Sequence, residues 1–468
     1  MRRVAVLVVS LTALSQTTAP AAHEARVDAI FARWTAATPG CAAGVAVDGR
    51  PVLARAYGMA DLEHDVRNTT DTIFEAGSVS KQFTAAAVLL LARDGKLSLD
   101  DPVRKYIPEV PDYDAPLTVR HMLNHTSGLR DWGNVAQIGG WPRGTRVHTH
   151  DHVLDIVSRQ RSLNFTPGTR WSYSNTGYNL ATVIVARVSG MSFAEFSRIR
   201  LFEPLGMTHT SWRDDYTRIV KNRAIAYDPR ADGFHQDMPF ENIHGNGGLL
   251  TTAGDLLRWN ENFSEPKVGD TAFVHLQQEV GHFNDGKPHE YAFGLFIGRY
   301  KGVAEVSHGG ATAGYRSFLA RYPDQHVSVA VLCNSGDANA GQYAHAIADE
   351  YLGSALDPKA PPAPRIAEAE GPLGRYTRDD RFNPTPEQLA AYAGSYSSDE
   401  AETTFTVAVD GNALAMKQRP ARVITLQPVS ADVFRGSLGV IRFHRAADGR
   451  VTGMSVTQDR VWDMRFVG

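Results

Sequence analysis

Three short stretches of this chain carry side chains suited to acyl-transfer chemistry. Ser78-Val79-Ser80-Lys81 sets a hydroxyl and an amine three residues apart. At a helix start that spacing puts them one turn apart on nearly the same face. A serine hydroxyl is a poor nucleophile until a neighbour takes its proton. Lysine can take it only where burial and nearby charge hold its amine neutral. The helix start also aims backbone N–H groups and the positive dipole end at the reaction centre. Tyr173-Ser174-Asn175 adds a phenol able to shuttle a proton. Its Asn175 amide can accept from Lys81 and donate to a substrate carbonyl. In His308-Gly309-Gly310-Ala311, the glycines would let a substrate backbone lie along a strand edge. The Ala311 N–H would then be free to stabilise an oxyanion.

Each stretch has an ordinary reading as well: a helix-capping serine, a surface turn, a glycine-rich hairpin with an incidental histidine. Context separates the first from a chance repeat. Ser264-Glu265-Pro266-Lys267 has the same spacing, but Pro266 disrupts a helix interior and no apolar helix follows. After Ser78, by contrast, Phe83, Ala87, Leu90 and Leu91 recur at helical spacing until Asp94-Gly95. Lys267-Val268-Gly269, a rival to the third stretch, has no strand on either side.

The elements that must position these groups follow from periodicity. Segments 42–47 and 51–58 read as paired strands around Asp48-Gly49, and 292–297, 303–307, 315–322 and 327–333 as later strands. Helices are predicted at 24–35, from Ser78, and at 338–352. Between the strand groups lies a helical block, with starts at Thr118, Thr149 and the capping pair Ser192/Glu195. The expected fold is therefore α+β, an antiparallel central sheet flanked by helices with an inserted all-helical subdomain, over 23–353. Residues 354–384 are rich in Pro and charge and read as a linker. Short alternating runs over 385–468 predict a separate small all-β, barrel-like domain.

Ser-x-x-Lys, Tyr-x-Asn and a late-strand His-x-Gly, in that order, resemble the serine β-lactamase and penicillin-binding-protein superfamily. Within it the likeness is to the class C β-lactamase-related group, with its D-aminopeptidases, D,D-carboxypeptidases and esterases. Leu123-Asn124-His125-Thr126-Ser127-Gly128-Leu129 and the run from Gly247 to Leu256 extend the resemblance over roughly 25–353. The resemblance implies Ser78 as nucleophile, Lys81 as its base and Tyr173 as proton shuttle. It further implies Asn175 orienting substrate, Gly309 and Gly310 lining it, and the N–H groups of Ser78 and Ala311 forming an oxyanion hole. Members that destroy β-lactams efficiently usually carry lysine where this chain has His308, and histidine is mostly neutral at pH 7. A peptide, amide or ester is thus the expected substrate, a small molecule or short peptide. The alternatives are a β-lactamase and a non-catalytic penicillin-binding-like protein.

Arg2 and Arg3, the apolar stretch after them and Ala19-Pro20-Ala21 read as a signal peptide over 1–22, so a periplasmic or secreted protein is expected. That run is too short for stable membrane insertion. Without those arginines the formal charge goes from −3 to −5, which gives no case for nucleic acid. Nothing in the sequence bears on oligomeric state. Cys41 and Cys333 lie in apolar strand-like runs and read as buried free thiols, with one disulfide open if the chain is exported. No metal or cofactor is expected: His121 and His125 lack the glutamate of a zinc-protease motif, and His148, His150 and His152 read as solvated loop histidines. Trp132 and Trp141, in a Gly-rich loop, are read as lining the cleft, with anchoring of the loop as the alternative.

Overall fold

A computed structural model describes residues 19–361 and 372–468. Apart from 19–22, the expected signal segment lies outside them, as do residues 362–371 of the expected linker. Six antiparallel strands form the central sheet: β1 (Cys41–Val47), β2 (Arg50–Tyr57), β3 (Phe296–Tyr300), β4 (Val303–Thr312), β5 (Tyr315–Tyr322) and β6 (Val327–Cys333). Their spatial order is β3-β4-β5-β6-β1-β2, so the first and last parts of the chain meet at the β6–β1 seam. Alternation along β1 and β6 builds two apolar faces. Val45, Val329 and Val331 pack under α1 (Ala19–Ile30) and α6 (Ala340–Leu352), while Ala42, Ala46 and Leu332 face the other core.

That second core belongs to the inserted helices. The helix after the serine begins later than expected: Ser78 lies in a 3-10 turn, Gly77–Ser80, that leads into α2 (Lys81–Arg93). In such a turn, residues three apart eclipse, which aligns Ser78 with Lys81. Buried on all sides, α2 packs against α4 (Asn175–Ser189). α3 (Trp132–Ile138) and α5 (Ala253–Glu261) complete the frame used below. Strand β4 also differs from its expected extent. It runs through His308, Gly309, Gly310 and Ala311, and the chain turns only at Ala313-Gly314. The glycines are therefore strand-interior, not a hairpin.

The C-terminal segment closes into an eight-stranded antiparallel barrel: β7 (Gly394–Ser398), β8 (Thr403–Asp410), β9 (Ala413–Gln418), β10 (Arg422–Ser430), β11 (Val433–Gly436), β12 (Gly439–Arg445), β13 (Val451–Gln458) and β14 (Val461–Val467). Phe405, Leu414, Met416, Leu426, Ile441 and Met464 fill its interior. Among the described residues, no single helix is long and apolar enough to cross a membrane.

One expectation is corrected here. Cys41 and Cys333 are not free thiols but form a disulfide. They are direct partners across the β1–β6 ladder, with Cα atoms 4.0 Å apart, a pairing that their sequence separation of 292 conceals. The bond ties the two halves of the sheet across a very long loop, and such loops gain most from closure. Replacing both cysteines by serine should lower the unfolding free energy by about 2–4 kcal/mol in denaturant titrations. An unchanged midpoint would show that the bond adds nothing to the folded protein.

Candidate active site

Lys81 is the residue around which the site is built. Its side chain is wholly buried, and its Nζ contacts three neutral oxygens. These are Ser78 Oγ at 3.2 Å, Asn175 Oδ1 at 2.9 Å and the Asn246 carbonyl at 2.7 Å. A neutral amine has two N–H bonds and a lone pair. In that neutral form the two carbonyl oxygens would take the N–H bonds, leaving the lone pair for the Ser78 hydroxyl to donate to. Burial holds the Lys81 pKa well below that of a free lysine; Arg460 and Arg143 add to the effect and Asp131 opposes it. Desolvation without a touching carboxylate is what makes lysine a base.

Asp131 orders the shell behind it. Its Oδ2 accepts from the backbone N–H of Asn175 at 2.8 Å and from Asn175 Nδ2 at 2.9 Å, while Oδ1 accepts from Gly133 and caps α3. One Asn175 amide N–H is thereby committed inside the protein, and Oδ1 is turned to Lys81. Asn246 is fixed in turn by Asn179, whose Nδ2 reaches Asn246 Oδ1 at 2.7 Å. Behind the serine turn, Glu75 and Arg213 form a fully buried ion pair, joined by Glu241, which holds Arg143.

Tyr173 stands over the same amine, with Lys81 Nζ 4.7 Å from its ring centre. Its loop rests on His125, which has left-handed backbone (φ 59°) and is fully buried. The His125 carbonyl accepts from Ser172 N at 2.9 Å, its Nδ1 accepts from Ser174 N at 3.2 Å, and its ring lies 4.2 Å from that of Tyr173. Burial keeps His125 neutral, so it is a support for the loop. The oxyanion donors meet where two backbones touch. A Cβ on Gly77 (φ 50°) would lie 2.7 Å from Ala311 N, and one on Gly310 would lie 3.0 Å from Ser78 N. Both glycines are needed for this approach, which sets the N–H groups of Ser78 and Ala311 side by side.

His308 is tied to its neighbours through both ring nitrogens. Its Nδ1 faces the Gly309 carbonyl at 2.6 Å, so Nδ1 carries the hydrogen, and Nε2 at 3.2 Å accepts from the Tyr291 hydroxyl. Burial pushes its pKa down to about 3. At pH 7 the ring is neutral, both nitrogens are occupied within the protein, and this strand position supplies no cation.

Ser78, Tyr173, Asn175, His308, Gly309, Gly310 and Ala311 thus line one cleft of about 840 Å³, with Lys81 beneath its floor. The tryptophans do not share it. Trp132 is fully buried, and Trp141 lies between Arg146 and Arg419. Their loop delivers Arg143 to the cleft instead. The histidine triplet is not solvated either: His148 is fully buried beside Trp132, and His150 contacts Thr182 and the His244 carbonyl. Missed by the sequence reading were Asp131, Asn246, Arg143 and Arg460. The neighbouring Gly247-Gly248 motif marked the place of Asn246, but nothing marked the others.

The Lys81 amine should titrate well below the other lysines in ¹⁵N-lysine NMR. Asp131→Asn removes a negative charge that favours the ammonium, so it should lower that pKa further. Arg460→Gln removes a positive charge and should raise it. A Lys81 signal titrating with the surface lysines, or either variant moving the opposite way, contradicts this electrostatic reading.

Residues 26–352 match the family described as Beta-lactamase. A D-aminopeptidase of Gluconobacter oxydans is 31% identical over 313 residues, 66% of this chain and 58% of the relative. Penicillin-binding protein 4* of Bacillus subtilis is 28% identical over 66% of this chain and 71% of that protein. The match thus spans less than two thirds of the D-aminopeptidase. Among solved structures, the octameric penicillin-binding protein homologue from Pyrococcus abyssi aligns over 96% of this chain and 99% of its own, with TM-score 0.61 and 24% identity. The D-amino acid amidase from Ochrobactrum anthropi aligns over 70% of this chain and 98% of its own, with TM-score 0.58 and 22% identity. At those identities the likeness is one of fold. With the family match covering both ends of the sheet and every residue of the serine–lysine–tyrosine cluster, this chain belongs to the serine β-lactamase and penicillin-binding-protein superfamily.

Proposed function

We propose that this protein is an exported hydrolase that cleaves a peptide, amide or ester through an acyl-serine intermediate. The observation that carries the reading is the fully buried Lys81 amine 3.2 Å from Ser78 Oγ, with no carboxylate among its hydrogen-bond partners. In the forward step the Ser78 oxygen attacks the substrate carbonyl while its proton passes to Lys81 Nζ. The N–H groups of Ser78 and Ala311 receive the developing oxyanion. Collapse breaks the bond to the leaving group, which takes a proton through Tyr173, the phenol over Lys81. Water then attacks the acyl carbonyl, gives its proton back by the same route, and frees Ser78 and the acid.

Two features support amide or ester substrates over β-lactams. Relatives named D-aminopeptidase are 31% and 29% identical over 66% and 72% of this chain, and the strand position that would hold a β-lactam carboxylate carries His308, whose pKa burial lowers. Export is supported by the Cys41–Cys333 disulfide, since such bonds persist in oxidising compartments.

Purified protein should turn over at least one member of a panel of D- and L-aminoacyl p-nitroanilides and p-nitrophenyl esters, and should hydrolyse nitrocefin slowly or not at all. Ser78→Ala should lower the rate by roughly 10³-fold or more, and Lys81→Ala by roughly 10²–10⁴-fold. No turnover on any member, with no covalent label at Ser78 from a fluorophosphonate, would overturn the reading. Rapid nitrocefin hydrolysis would replace it with a β-lactamase.

A further inference from the structure

A second cavity, of about 650 Å³, lies at the junction of the family domain, the Pro372–Arg375 turn and the barrel. It shares no lining residue with the serine cleft. Each part contributes arginine: Arg130 and Arg170 from the family domain, Arg375 from the turn, Arg442 from β12 and Arg465 from β14. Among the described residues that line it, the one carboxylate is Asp463, which pairs with Arg465 at 2.6 Å. Arg130 is balanced too, by Glu400 of the barrel. Arg170, Arg375 and Arg442 have no ion pair with any described residue. In a chain of net charge −3, three uncompensated guanidiniums around one cavity are a local concentration of charge that needs an anion.

These side chains stand on fixed supports. Arg442 and Arg465 each lie directly opposite Ser455 in the ladder, so both rise from one barrel face with Ser455 between them. Burial lowers the pKa of the adjacent His444, and the charges of Arg465 and Arg442 lower it further against Asp463. Leu373 and Tyr376 pack on Val429, Val433 and Val440, which pins the Arg375 turn to the barrel. The Arg170 guanidinium carbon is 5.9 Å from the Trp462 ring centre, and that ring packs on Phe165. Trp462 N donates to Asn164 Oδ1 at 2.9 Å, and Arg130 donates to the Trp462 carbonyl at 3.0 Å. The cavity is thus preformed across the docked parts.

A concave space of this size suits a small molecule or a headgroup better than a flat protein surface. Guanidiniums that reach it from the family domain, the turn and two barrel strands suit a tetrahedral oxyanion, which accepts from several directions. A planar carboxylate is satisfied by one arginine fork. Three uncompensated charges also exceed what one phosphate group neutralises, about −2 at pH 7. We propose that this groove binds a ligand carrying two or more phosphate groups, held by Arg170, Arg375 and Arg442, and this assignment does not depend on the acyl-serine reading. Because both sides of the docking interface line the groove, occupancy favours the docked arrangement and raises the melting temperature.

The test titrates the full chain with sodium tripolyphosphate by calorimetry in 0.15 M NaCl. One equivalent should bind with a Kd below about 100 µM, and more weakly as salt rises. Arg375→Gln combined with Arg442→Gln should weaken binding by about 10-fold or more, with Arg170→Gln as a further variant and melting without ligand as the check on folding. Arg187→Gln, whose arginine pairs with Glu109 elsewhere on the surface, should stay within about 2-fold of wild type. Phosphatidylglycerol vesicles form a second arm. Binding confined to them, and lost in the same variants, supports this site with a lipid headgroup as the phosphate source. No saturable binding in either arm, or binding unchanged in the folded variants, overturns the proposal. Equal affinity for a hexaglutamate peptide overturns it as well, by making the groove a site for acidic peptide.

Discussion

An amine buried among neutral oxygens is the constraint from which the rest of this structure follows. Removing an ammonium from water is costly unless an opposite charge touches it. Around Lys81 the touching groups are a hydroxyl, a side-chain amide and a peptide carbonyl, drawn from three separate segments. The carboxylate whose charge acts on it, Asp131, is bound by Asn175. Were it to contact Lys81 directly, the pair would be an ion pair and the lysine would have no lone pair to use. The fold therefore has to hold Asn175 and Asn246 firmly, and it does so with the buried Asp131 before α3 and the buried Asn179 of α4.

Position of the sheet strands serves the same end from the other side. Strand β4 approaches the serine turn so closely that only glycine fits at 77 and 310. This contact converts two ordinary backbone N–H groups into a convergent pair without any side chain. It also explains why His308, one pleat from the glycines, is buried and neutral: the strand edge there is packed against Tyr291 and Phe296. The barrel closes the remaining side, and its hydrogen bonds to Asp131, Asn164 and the end of α3 make it part of the cleft wall.

Much of this was legible in the sequence because its signals are local. The Ser78/Lys81 spacing, the Tyr173-Ser174-Asn175 loop and the strand alternation from 315 to 333 each report on a few neighbouring residues. What stayed hidden depends on tertiary approach. Cys41 and Cys333 become partners only once β6 lies beside β1. Asp131, Arg143 and Arg460 sit in loops whose sequences carry no periodicity, and they matter because of what they face. The tryptophans illustrate the converse error. A Gly-rich loop suggested exposure, yet Trp132 begins α3 and is its buried anchor, with Arg143 stacked 5.5 Å from its ring. His308 was expected just after a strand ending at residue 307, whereas β4 runs on through it and the glycines, and its hydrogen-bond partners lay beyond any spacing rule.

The most direct measurement is the pre-steady-state burst of p-nitrophenolate from p-nitrophenyl acetate as a function of pH. A neutral Lys81 beside Ser78 predicts one equivalent of burst product per chain, an acetyl group mapped to Ser78, and a burst rate that rises along a single limb well below the pKa of free lysine. No burst, an acetyl group at another residue, or a limb near the ordinary lysine value would contradict the account.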